Sequence, residues 1–163
     1  MKTRSILISL ILIFAMSSIS FAQSFTDKIT YEEFKTWANN QDIDGYTFQR
    51  TEQTPDENFG DDPYYAVAFM PDDNTTNLMI SISEIHTFTN YFTMPKYKNQ
   101  PTFEINGHTA VYLPNNADYS TSMLWVEMPE LNANVMILKS PIRSQEELVG
   151  IFNALDFDSL IKD

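Results

Sequence analysis

The chain has no cysteine and only four glycines among its 163 residues. The first absence excludes disulfides, thiol nucleophiles and thiolate metal sites. It also excludes the lipid-modified cysteine of bacterial lipoproteins. The glycines form no G-x-G-x-x-G, P-loop or G-x-S-x-G pattern, so the common nucleotide and hydrolase motifs are missing. Histidine is scarce too: His86 and His108 stand alone and belong to no H-x-H or H-E-x-x-H pattern. Basic residues number 10 against 22 acidic ones, giving a net charge of −12. Such a balance disfavours nucleic acid and anionic membrane as partners. No apolar run approaches the roughly 20 residues of a membrane-spanning helix.

What is present begins with an export pattern. Lys2 and Arg4 precede the apolar run Ile6–Ala15, which only Ser9 interrupts. Ser17, Ser18 and Ser20 follow, and Ser20 and Ala22 make a small-x-small site before Gln23. This order predicts a signal peptide over residues 1–22. One domain of 141 residues, 23–163, is expected to remain. Loss of Lys2 and Arg4 takes the charge to −14. The expected location is the bacterial periplasm or the cell exterior, since a eukaryotic secreted domain of this size more often carries disulfides.

The mature chain alternates between two periodicities. Thr30-Tyr31-Glu32-Glu33 is a capping box, and Tyr31, Phe34 and Ala38 follow at helical spacing with Trp37 beside them. Tyr46–Arg50 predicts a short strand. Tyr64–Met70 is apolar on both faces, which places it inside a sheet. Leu78, Ile80 and Ile82 alternate with Met79, Ser81 and Ser83, as in a half-buried strand. Residues 87–100 fit neither period well, and a short helix before Pro95 is expected there. Asn106-Gly107 joins Pro101–Ile105 to His108–Leu113 as a hairpin. A second hairpin joins Ser122–Met128 to Asn134–Lys139. Ser144-Gln145-Glu146-Glu147 is another capping box, with Leu148, Ile151, Phe152 and Leu155 at i, i+3, i+4 and i+7. The expectation is an α+β fold: a mainly antiparallel sheet of six to seven strands, with an N-terminal and a C-terminal helix packed on it.

Few residues carry chemistry. Each histidine stands at a strand end, where a surface role is ordinary, and no metal or other cofactor is expected. Asp56, Glu57, Asp61, Asp62, Asp72 and Asp73 are loop carboxylates without the spacing of a calcium loop. Phe88, Tyr91, Phe92 and Tyr97 are the candidate binding residues. Aromatics on a loop form contact surfaces, although they also plug the open end of a sheet.

Ile105-Asn106-Gly107-His108-Thr109-Ala110, then Leu124-Trp125-Val126, Val135-Met136-Ile137 and the helix of 144–157, resemble the C-terminal half of PsbP-like and other small exported bacterial domains. The likeness covers about a third of the chain and includes no catalytic motif. It implies a binding or scaffolding role. The expected function is therefore a non-enzymatic exported binding or accessory protein, with an envelope or secreted protein as partner. A carrier of a small apolar ligand is the alternative, and a hydrolase with an unusual site comes third.

Overall fold

The computed structural model describes residues 24–53, 63–72, 77–84, 100–116 and 121–161. The predicted signal segment, the acidic loop of 54–62 and the aromatic residues of 85–99 lie outside the described residues.

Helix α1, Tyr31–Asn39, forms where the capping box predicts it. The Thr30 hydroxyl accepts from the Glu33 N–H at 3.4 Å, and the Glu33 carboxylate accepts from the Thr30 N–H at 2.9 Å. These bonds satisfy two amides that the first helical turn leaves without partners. A further capping box stands just upstream, where Ser24 opens the short 3-10 turn Phe25–Asp27. That turn buries Phe25, and Ile29 is buried after it, so the chain is anchored before α1 begins.

Seven strands follow: β1 Tyr46–Gln53, β2 Tyr64–Pro71, β3 Leu78–Glu84, β4 Thr102–Ile105, β5 His108–Asn116, β6 Thr121–Met128 and β7 Ala133–Lys139. They form one sheet in the order β1-β2-β3-β7-β6-β5-β4, with every neighbouring pair antiparallel. The fold is thus α+β on an antiparallel sheet, and β2 lies inside it as its two apolar faces predict. Two meanders, β1-β2-β3 and β4-β5-β6-β7, meet along the β3–β7 seam. Asn106 and Gly107 turn the β4–β5 hairpin at φ of 52° and 86°, the left-handed region that a tight two-residue turn requires. Helix α2, Gln145–Ala154, comes after β7, and its capping box at Ser144 and Glu147 is formed.

The two helices share a single core with one face of the sheet. Phe34 and Trp37 of α1, Leu148 and Phe152 of α2, and Val67, Ile80, Ile137 and Leu124 of the strands all belong to it. Tyr65 gathers Phe25, Tyr31 and Phe34 around its ring at centroid distances of 5.0, 5.4 and 5.5 Å. The opposite face of the sheet carries a second, smaller cluster. There Val111, Leu113, Met123 and Trp125 are buried, with Met136 and Leu138 packed at its margin.

Candidate functional site

Two clefts described in the structure meet at Asp156. The larger, of about 530 Å³, is an open groove between α1 and the 3-10 turn Phe157–Leu160. Ile29, Trp37 and Leu160 form its floor, and Glu32, Glu33, Thr36 and Asn40 its α1 rim. Trp37 points there because it shares a helical face with Phe34 and Ala38, and the 3-10 turn Phe157–Leu160 packs across that face. Its ring stacks on Phe157 at 5.2 Å, and its indole N–H donates to the Asp156 carbonyl at 2.7 Å. Gln41 completes the clasp: it accepts from the Asp156 N–H at 2.8 Å and donates to the Trp37 carbonyl at 2.9 Å. The Asp156 carboxylate caps the final turn by accepting from the Ser159 N–H at 3.3 Å. An apolar floor under a carboxylate-bearing rim suits a chain with aliphatic stems and cationic ends.

The smaller cleft, of about 330 Å³, holds His108. The Asn106-Gly107 turn delivers this residue as the first of β5. Its Nε2 stands 3.6 Å from the Glu130 carboxylate, with the two side chains 23% and 30% exposed. Glu130 is held in the 3-10 turn Pro129–Leu131, whose Glu130 carbonyl accepts from the Lys28 ammonium at 2.5 Å. Asn106 donates to Asn153 at 3.1 Å, tying the turn to α2. Asp156 and Asp158 also line this cleft. Among the described residues, no three His, Asp or Glu side chains stand close enough to hold a metal ion.

Phe88, Tyr91, Phe92 and Tyr97 lie outside the described residues, as do His86, Asp56, Glu57, Asp61, Asp62 and Asp73. Asp72 is exposed at the end of β2, where its N–H donates to the Gly45 carbonyl at 3.1 Å. Sequence reasoning missed the clasp between Trp37, Gln41 and Asp156, whose partners are more than a hundred residues apart. It also missed buried polar side chains near strand ends, among them Lys139, Asn134 and Glu84. Lys139 is 1% exposed, with its ammonium 4.9 Å from the centre of the Tyr46 ring. Asn134 donates to the Glu84 carbonyl at 2.9 Å, and the Glu84 carboxylate accepts from the Ser24 hydroxyl. The second apolar cluster had a readable signal, since β6 alternates Met123 and Trp125 with Leu124 and Val126 and leaves neither face polar.

Comparison of the chain with protein-family models, with curated proteins and with solved structures finds no match.

Proposed function

We propose that this protein is an exported, non-enzymatic binding or accessory domain of the bacterial envelope that recognises a basic segment of a protein partner. The observation that carries this reading is the groove beside α1, open to solvent, with Trp37 in its floor and Glu32 and Glu33 on its rim. The mature charge of −14 adds long-range attraction for a cationic partner. The resemblance of 105–157 to PsbP-like domains agrees with a role in binding. The space between sheet and helices is filled by Phe25, Phe34, Phe69 and Leu148, each no more than 1% exposed. That filling favours recognition at the surface over an apolar ligand held in the interior.

Trp37 supplies the test. In a Trp125→Phe background the remaining indole reports on the groove. Titration with a Lys/Arg-rich peptide should shift its emission saturably, and added salt should weaken the binding. Glu32→Lys with Asn40→Lys should reduce affinity at least about tenfold, since each places a cation on the rim. Binding indifferent to those changes, or no binding of the peptide, would overturn the assignment. Phe88, Tyr91, Phe92 and Tyr97 remain the second proposed contact surface, and Phe92→Ala and Tyr97→Ala belong in the same titration.

His108 and Glu130 favour a second reading, a hydrolase in which His108 moves the proton. Turnover of an ester or phosphoester that disappears in both His108→Asn and Glu130→Gln would support it.

A further inference from the structure

β1 is the longer of the sheet's two edge strands, and among the described residues nothing pairs with its outer side. An edge strand leaves alternate backbone N–H and C=O groups directed outward, so proteins commonly guard such edges with proline, lysine or a bulge. β1 contains neither proline nor lysine. Its one irregularity falls between Phe48 and Arg50, after which the ladder runs regularly from Arg50↔Ala68 to Gln53↔Tyr65. The regular stretch and the residue before it read Gln49-Arg50-Thr51-Glu52-Gln53. Read backwards, that string has the same chemistry with the charges exchanged: amide, anion, hydroxyl, cation, amide.

We infer that two copies of this chain associate edge to edge through β1, antiparallel, about a two-fold axis at Thr51. In that register Thr51 meets its own counterpart and Gln49 meets Gln53. Arg50 lies directly opposite Glu52 of the second copy, twice per dimer because the interface is isologous. Directly opposed residues share a face of the sheet. Arg50 and Glu52 are opposite Ala68 and Ala66, so they stand on the face away from the helices. Their side chains are 63% and 49% exposed, and their own contact within one chain is a loose 4.0 Å. They can therefore turn to the second copy at little cost. Thr51 lies on the helix side, where its hydroxyl and that of Tyr31 are 3.0 Å apart. The two sheets become one continuous sheet with α1 and α2 of both copies on the same side. The inference stands on β1 alone and does not depend on the groove beside α1.

Sedimentation equilibrium across a concentration series tests it, with Arg50→Glu, Glu52→Arg and the double exchange beside the parent. Each single reversal places like charges opposite one another at two positions and should weaken the dimer about tenfold. The double exchange restores opposite charges and should return the association constant to within about threefold of the parent. Net charge alone makes a different forecast. Glu52→Arg reduces the acidity of the chain and would tighten a dimer limited only by repulsion. The chain's lack of cysteine permits a geometric check. Thr51→Cys should cross-link to its counterpart on oxidation, whereas Gln53→Cys, opposite Gln49, should not. Thermal melts of every variant confirm that the fold is kept. A parent that stays monomeric at all concentrations overturns the inference. So does a dimer in which the single reversals and the double exchange behave alike. A β1 edge that pairs only with a foreign strand overturns it as well.

Discussion

Tyr65 and Tyr112 have phenols pushed above the ordinary tyrosine range. Burial is the larger cause in both, and a nearby carboxylate adds to it, Glu33 for Tyr65 and Glu147 for Tyr112. Tyr112 also donates to the Arg143 carbonyl at 2.5 Å, a bond that needs the protonated phenol. In the unfolded chain both should titrate near the ordinary value of 10.0. Above that pH the unfolded state gives up its protons first, so stability falls as pH rises. The contribution is complete below pH 10 and is lost as pH climbs through the folded values. Urea melts between about pH 8 and 11 should show a decline above about pH 10. That decline should be shallower in Tyr65→Phe and Tyr112→Phe. At neutral pH Tyr112→Phe should cost about 0.5–1.5 kcal/mol for the lost hydrogen bond. Equal alkaline slopes in parent and variants would contradict the assignment.

Helix α2 shows how one element combines a local signal with a distant partner. Its capping box decides where it starts, and its apolar stripe decides which side faces the sheet. Leu155 at its C-terminal cap is buried, whereas Glu146 in its first turn is exposed. Leu155→Ala should therefore cost about 2–5 kcal/mol, as core truncations do. Glu146→Ala should cost far less in the same denaturant melts, and equal small effects would mean an undocked helix. Helices α1 and α2 were legible because capping needs only residues three apart. The Asn106-Gly107 hairpin was legible because few residue pairs adopt those dihedrals. β1 was legible only as far as Arg50. Its continuation, Thr51-Glu52-Gln53, is polar because an edge strand has one flank in water, and the bulge after Phe48 breaks the alternation that would reveal it. The 3-10 turn at Ser24 is too short for a periodic signal. Neither groove was legible, since Trp37 and Asp156 acquire meaning only once the C-terminal turn crosses α1. The β3–β7 pairing was hidden for the same reason: most of its partners are more than fifty residues apart.

At the scale of the molecule, the proposed export and the acidic balance belong together. A chain that loses Lys2 and Arg4 reaches a charge of −14, which favours solubility. Mass spectrometry of the exported protein should find an N-terminus at Gln23, cyclised or free, and intact Met1 in the mature compartment would defeat the proposal. The strand order has a separate consequence. Among the described residues each meander carries one α-helix: α1 precedes β1-β2-β3, and α2 follows β4-β5-β6-β7. They join through the seven residue pairs of the β3–β7 ladder, from Leu78↔Lys139 to Glu84↔Ala133. Bonds from Trp37 to Asp156 and from Lys28 to Glu130 reinforce the joint. The protein should therefore be divisible along this seam. A chain cut between residues 84 and 100 should give two fragments, each with the hairpins and the described helix of one meander and each lacking half of the seam. Expressed together, the fragments should reassemble and copurify as a one-to-one complex. Lys139→Glu, which places an anion at a buried seam position, should abolish reassembly of the fragments more readily than folding of the uncut chain, because only the fragments lose translational freedom when the seam closes.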